Sequence, residues 1–476
     1  MFNRREFIKS GALAGAAIAS SSLSFANNFQ GNFPIVRTPS AKRKFTSEAV
    51  EATIVRMKKV IKDPEIAWLF ENCFPNTIDT TVHFKVTDGK PDTFVITGDI
   101  DAMWLRDSTA QVWPYLPLLK KDSHLKEMVA GLIYRQTKCI NIDPYANAFY
   151  DRPKESEWTK DATAMTPMLH ERKWEIDSLC YAIRLAYHYW KNTGDTKPFD
   201  AAWEHSAKLI LQTFKEQQRK ENRGPYRFGR VTAWSTDTVP GNGYGNPIKP
   251  NGLIASVFRP SDDATIYPFL IPSNLFAVVS CRQLAEMLTK MGKDKKLAAD
   301  LEALATEVEQ AVKEFGIYKH PTFGNIYAFE VDGFGNYLLM DDAGIPGLVS
   351  MPYLDSVSEK DPVYINTRKF ALSDSNPYFF KGKAGEGLGS PHTLIDQIWP
   401  MGIIARAITS TDEKEIISQI KLLKSTHNHT GFMHESFDKD NPANFTRKWF
   451  AWVNTLFGEL ILKLENERPN LLKMNF

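Results

Sequence analysis

"IDSLCYAIRLAYHYWKNTG", Ile176 to Gly194, sets the character of the chain. Ile176, Leu179, Cys180, Ile183 and Tyr187 recur at the three-to-four-residue spacing that gathers side chains on one helical face. A half-buried strand would need strict alternation, and this segment lacks it. Gly194 closes the run, as expected where a helix ends in left-handed backbone. The spacing therefore predicts an amphipathic helix with Asp177 in its first turn.

The same period recurs in both directions from that segment. It predicts helices in "EAVEATIVRMKKVIKD", "HLKEMVAGLIYRQTKCI" and "FDAAWEHSAKLILQTFKEQ". Further helices are expected over 273–290, ending near Gly292, and in "KKLAADLEALATEVEQAVKEFG", ending at Gly316. "PHTLIDQIWPMGIIARAI", "EKEIISQIKLLKSTHN", "RKWFAWVNTLFGELILKLENE" and the stretch from Trp104 to Leu119 complete the set. Strand and turn signals concentrate in "YKHPTFGNIYAFEVDGFGNYLLMDD", where Asp332-Gly333 marks a tight turn and predicts a hairpin insertion. Helices joined alternately by short and long, aromatic-rich loops fit an all-α fold, an (α/α)6 barrel or toroid, with the long loops at one mouth. No linker divides the chain, so a single domain is expected over 45–476.

The first residues read differently. Arg4-Arg5 is followed by an Ala/Gly-rich run and then Ser24-Phe25-Ala26, which has the small-x-small form of a cleavage site. Residues 1–26 are expected to be a twin-arginine signal peptide, and 27–44 a polar leader. A membrane anchor is the competing reading, but the apolar run falls short of the roughly 20 residues a span needs. The mature protein is expected to be periplasmic or secreted, without a membrane span. The four cysteines, Cys73, Cys139, Cys180 and Cys281, have no metal-ligand rhythm and are expected to be free thiols. A net charge of +2 over 476 residues carries no footprint for nucleic acid or an anionic membrane. The 11 tryptophans and 16 tyrosines include several beside charged side chains, a setting that suits sugar rings.

No nucleotide loop, GxSxG or HExxH stands in a convincing context. Acidic residues in aromatic loops are the remaining signal, in four places. "GDIDAMWLRDSTAQVWPYLPLL" sets Asp99, Asp101 and Asp107 around Trp104 and Arg106. These acids can be Ca2+ ligands, sugar hydrogen-bonding groups, or a helix cap at Asp107 or Ser108. An arginine among them would repel a cation, and a tryptophan would not ligate one, so a sugar-holding wall with Asp99 and Asp101 as supports reads best. "KWEIDSLCY" places Asp177 at a helix start, where it is either a dipole-favoured charge or a carboxyl whose pKa apolar walls raise. "FRPSDDATIYPFLIPSN" carries Arg259, Asp262 and Asp263, as polyol ligands or as a solvated loop with a capping aspartate. "GFMHESF" holds Glu435 in the least helical context of the chain's glutamates, and "GSPHTLIDQIWP" adds His392. Carboxylates on distant loops with tryptophans between them suggest glycoside hydrolysis by two acids, and the spacing does not say which two.

Six segments, "GDIDAMWLRDSTAQVWPYL", "WEIDSLCY", "FRPSDDATIYPFLIPSN", "DGFGNYLLMDDAGIPGLVSMPYL", "SPHTLIDQIWPM" and "GFMHESF", closely resemble glycoside hydrolase family 125. These are exo-acting α-1,6-mannosidases, and the matches run in order from about Thr46 to Lys463. The resemblance implies an (α/α)6 barrel, inversion of anomeric configuration, and neither metal nor cofactor. It puts the general acid at Asp177 and the general base at Glu435. Trp104, Arg106 and Asp107 would line the terminal-mannose pocket, with Arg259, Asp262, Asp263 and His392 in other segments of the pattern. The substrates would be mannose-containing oligosaccharides such as N-glycan or mannan fragments. "MDDAGIPGL" departs at Gly344-Ile345, where the family more often has Asn-Val. An inverting pair leaves room for water, so a carboxyl separation of roughly 6.5–9.5 Å is expected. The competing readings are another toroid glycosidase, such as a calcium-assisted α-mannosidase, a non-catalytic sugar-binding protein, and a toroidal polysaccharide lyase.

Overall fold

Segments with helical period become the α-helices of the computed structural model, which describes residues 33–476. The expected signal peptide, 1–26, and the first part of the leader lie outside the described residues. In chain order the helices are α1 (Glu48–Val60), α2 (Pro64–Cys73), α3 (Asn76–Thr80), α4 (Leu105–Val112), α5 (Ser123–Ile142), α6 (Ile176–Thr193) and α7 (Ala201–Gln217). There follow α8 (Ile271–Lys290), α9 (Lys295–Phe315), α10 (Pro362–Ala371), α11 (Pro400–Ile408), α12 (Glu413–Thr426) and α13 (Ala451–Glu467). Val36 to Phe476 form one compact unit.

Two kinds of helix alternate. All eight residues of α4 are buried, whereas in α9 only a stripe including Leu297, Leu301, Leu304 and Val308 is. The buried kind are neighbours in the series α11, α13, α4, α6 and α8. The striped kind pack outside: α9 on α8, α5 on α6, and α12 on α11, with α7 against α5. Their starts differ as well. Asp122, Asp200, Asp294 and Asp412 accept backbone N–H bonds at the N-termini of α5, α7, α9 and α12. None of α4, α6, α8, α11 or α13 has a side-chain cap. A cap replaces water for donors that face solvent. The inner helices instead begin close behind short strands in three antiparallel sheets: Met103–Trp104 with Ala148–Phe149 and Leu169–Glu171; Phe269–Leu270 with Glu330–Val331 and Tyr337–Leu338; and Gln397–Ile398 with Ser436–Asp438 and Phe445–Thr446.

Most expected helices are present, and Gly194 ends α6 at φ 71° as anticipated. Two are shorter than expected: the stretch from Trp104 to Leu119 is α-helical only over Leu105–Val112 and tightens to a 3-10 helix over Trp113–Leu118, where Pro114 and Pro117 stand. In "PHTLIDQIWPMGIIARAI" only Pro400–Ile408 is α-helical; Leu394 and Asp396 have φ of 88° and 70°, and Gln397–Ile398 pair with Phe437 and Asp438. A short apolar run has the same pattern as a helix turn or a buried strand, and the left-handed residues decide for the strand here. The anticipated insertion is two hairpins rather than one: Ile317–His320 with Gly324–Tyr327, and Glu330–Val331 with Tyr337–Leu338 around Asp332-Gly333. A further hairpin, Val82–Thr87 with Lys90–Val95, turns through Asp88-Gly89, both with positive φ. Cys73, Cys139, Cys180 and Cys281 are free and buried, and burial pushes the Cys139 and Cys281 thiols up to about 12. No helix among the described residues is long and apolar enough to cross a membrane.

Candidate active site

The N-terminal ends of α4 and α6 bring the first carboxyl cluster together. Arg106 lies in the first turn of α4 and is 3% exposed. Its Nη1 donates to Glu175 Oε2 at 2.6 Å and Asp177 Oδ2 at 3.1 Å, and its Nη2 to Asp262 Oδ1 at 3.0 Å. Asp107 Oδ2 lies 3.5 Å from Arg106 Nε. One guanidinium thus faces four carboxyl groups, and ionising all of them without water would leave uncompensated charge. The acids resolve this unequally. Burial raises the carboxyls of Asp177 and Glu175 against the opposing pull of Arg106. Burial likewise lifts Asp107 to about 6. Asp262 goes the other way: Arg106 and Lys173 overcome its burial and hold it near 2. A proton kept on Glu175 and shared with Asp262 fits both shifts.

Neither Asp107 nor Ser108 caps α4. The helix starts at Leu105, so Asp107 is its third residue, and Asp177 is the second residue of α6. Both carboxyls therefore sit where the helix dipole favours negative charge. The third segment is held from beneath. Lys173 Nζ donates to the Asp262 carbonyl at 2.9 Å and to Asp237 at 2.8 Å, and Asp262 takes a φ of 67°. Arg259 is not in a solvated loop: it is 2% exposed, and its Nε donates to Glu330 at 2.6 Å. Asp263 is equally buried and lies 3.8 Å from His392 Nδ1.

Glu435 belongs to a second cluster. It precedes the strand Ser436–Asp438 and is 5% exposed. Thr446 Oγ1 donates to its Oε2 at 3.0 Å and Arg447 Nη1 to its Oε1 at 3.3 Å. Arg447 also feels the charges of Asp99 and Asp107, so Asp107 lies within reach of both arginines. Asp101 instead turns outward to Lys154.

Several buried polar atoms here have no hydrogen-bond partner within the protein: Trp104 Nε1, Asp177 Oδ1, Arg106 Nε and Arg259 Nη2. Buried groups are normally paired, so donors and acceptors left over are what a polyol can satisfy. The acids converge on a guanidinium, and no group of three or more His, Cys, Asp or Glu suited to a metal ion exists among the described residues. A cavity of about 560 Å³ lies elsewhere, at the C-terminal ends of the same helices, lined by Trp113, Arg184, His188 and Glu459 among others.

The profile of the family described as metal-independent alpha-mannosidase (GH125) matches residues 63–462. The chain belongs to glycoside hydrolase family 125. It is therefore a glycoside hydrolase of an α-mannosidase family. Similarity to known proteins extends over nearly the whole chain. The meiotically up-regulated gene 157 protein of Schizosaccharomyces pombe is 42% identical over 462 residues, 93% of this chain and 90% of that protein. A Streptococcus pneumoniae metal-independent α-mannosidase, solved as a non-productive substrate complex with α-1,6-mannobiose, is 40% identical with a TM-score of 0.86, covering 89% of this chain and 100% of that one. A bacterial glucoamylase complexed with acarbose shares the fold alone, at 12% identity and a TM-score of 0.50 over 78% of this chain and 50% of its own.

Glu175 and Arg447, like Lys173 and Thr446, were not singled out by sequence. Glu175 stands two residues before Asp177 in "WEID" and reads as one more charge at a helix start. Arg447 sits in "FTRKW", where nothing local marks it, because its partner Asp99 is 348 residues away.

Proposed function

We propose that this family 125 chain is an exo-acting α-1,6-mannosidase that removes terminal mannose with inversion. Asp177 acts as general acid and Glu435 as general base. The observation that carries the reading is the contrast between the two carboxyls. Asp177 is fully buried with a raised pKa, as an acid that must hold a proton near neutral pH requires. Glu435 accepts from two donors, which orients it to take a proton from water.

Asp177 protonates the glycosidic oxygen while that bond to the anomeric carbon breaks. Glu435 removes a proton from the water that attacks the opposite face. The unpaired atoms of Trp104, Arg106 and Arg259 bind the sugar hydroxyls, with Asp107, Asp262, Asp263 and His392 around them. A separation of roughly 6.5–9.5 Å between the catalytic carboxyls belongs to this mechanism. The solved relative's α-1,6-mannobiose supports the linkage. The alternation of buried and striped helices supports an (α/α)6 barrel. Export by the twin-arginine route, with cleavage after Ala26, rests on the N-terminal sequence, and N-terminal sequencing of the periplasmic product tests it.

The test of function is incubation with α-1,2-, α-1,3- and α-1,6-linked mannobiose, with proton NMR of the first product. Release of β-mannose from the α-1,6 isomer is expected. α-Mannose as first product would overturn inversion, and equal rates on all three would overturn the linkage.

A further inference from the structure

Glu435 is held through a side chain that the proposed reaction does not itself use. Arg447 offers Nη1 to Glu435, and its other two nitrogens are committed to Asp99. Nε donates to Asp99 Oδ1 at 3.0 Å and faces Oδ2 at 3.3 Å, and Nη2 donates to Oδ1 at 2.6 Å. Such a fork fixes the plane of the guanidinium, and so the direction of Nη1. The backbones of the two segments are locked together as well. Gly98 pairs with Phe450, Asp99 N donates to Trp449 O at 3.4 Å, and a Cβ on Gly98 would stand 2.4 Å from Trp449 O. Arg447 reaches its position with a φ of 33°, its guanidinium lying over the Phe450 ring at 4.6 Å.

We propose that Asp99, acting through Arg447, positions Glu435 for activating water; this rests on the reading of Glu435 as the base. Stability does not account for the pair. The Asp99 side chain is 37% exposed, and exposed ion pairs add little. A non-glycine residue in left-handed backbone is a cost that persists where the surroundings enforce it, typically at functional sites. What the arrangement achieves is a carboxylate with both oxygens directed, by Thr446 on one side and the Asp99-oriented guanidinium on the other.

The test uses the full-length enzyme on α-1,6-mannobiose. Asp99→Asn is expected to lower kcat about 10-fold and Arg447→Ala about 100-fold, the scale of a misplaced reacting group, with KM within about 2-fold. A second arm bypasses the base. In Glu435→Ala, azide attacks the anomeric carbon directly, forming the C–N bond as the C–O bond breaks, while Asp177 gives its proton to the leaving oxygen. Adding Asp99→Asn to that variant is expected to leave the azide-supported rate unchanged, because nothing remains to position. Wild-type kcat in both single variants, a loss confined to KM, or an equal slowing of the azide reaction would each overturn the proposal. Should Arg447→Ala not fold, Asp99→Asn carries the test with a nearly isosteric side chain. If Glu435→Ala lacks an azide response, the kcat and KM of the single variants decide. Wild-type hydrolysis by Glu435→Ala refutes the base assignment itself, a result distinct from those that refute only the Asp99–Arg447 pair.

Discussion

Asp177 and Arg106 show how residue chemistry is set by surroundings. An aspartate in water is ionised at neutral pH, but Asp177 has no exposure and shares one guanidinium with Glu175, Asp262 and Asp107. Because burial raises its pKa, the proton is retained to higher pH than on a free aspartate. A general acid of this kind works below its pKa, so kcat is expected to fall as pH rises through that raised value. A pH profile on mannobiose checks this; a rate that keeps rising across the alkaline range would contradict it. Asp177→Asn and Glu435→Gln are each expected to lose about 10²–10⁴ in turnover with little change in Tm, measured by initial rates and thermal melts. Arg106→Met is a different experiment, because it strips the counter-charge from buried carboxyls. It is expected to cost about 3–5 kcal/mol in urea unfolding at neutral pH. The deficit should shrink as pH falls, since carboxyls that protonate no longer need the guanidinium. Trp104, Arg106, Asp107 and Asp177 were all readable as site candidates from their neighbours in the chain. Glu175 and Arg447 were not, because their importance comes from partners rather than from context.

At the scale of elements, capping divides the helices. Ser47 caps α1, accepting from Val50 N at 3.2 Å, and donates to Asp122, the cap of α5, at 2.6 Å. One hydroxyl therefore serves two helix starts. Ser47→Ala is expected to cost about 1–2 kcal/mol in denaturant unfolding while leaving kcat unchanged. A Ser or Asp before an apolar-periodic run marks a helix start in sequence, and the outer helices carry one. The inner helices carry no such mark, since their starts are covered by strands of two or three residues. Elements that short have no periodicity to detect. The segment around Leu394 to Ile398 was misread for that reason, and its strand pairs with residues beside Glu435.

For the whole molecule, the arrangement of helices does what no single element can. The N-termini of α4 and α6 meet at the Arg106 cluster, and residues toward their C-termini line the separate 560 Å³ cavity. Asp107 and Asp177 thus sit in the first turns of two helices whose positive dipole ends face the same cluster. The centre of the acidic cluster is a guanidinium, and the family is described as metal-independent. Dialysis against EDTA is therefore expected to leave kcat and KM unchanged, with atomic absorption confirming removal of metal; a loss restored by Ca2+ would argue for the calcium-assisted alternative.

The sequence by itself determined the helices, because a 3.6-residue period and its caps are written in neighbouring residues. It also determined which acidic and aromatic stretches were candidates, since their composition is unsuited to a plain core. Tertiary structure alone decided which acids share a guanidinium, which carboxyls burial shifts upward, and that Asp99 reaches Glu435 through Arg447. The reason is physical. Periodicity is a local property of the chain, whereas burial and charge pairing depend on distances between segments that lie far apart in sequence.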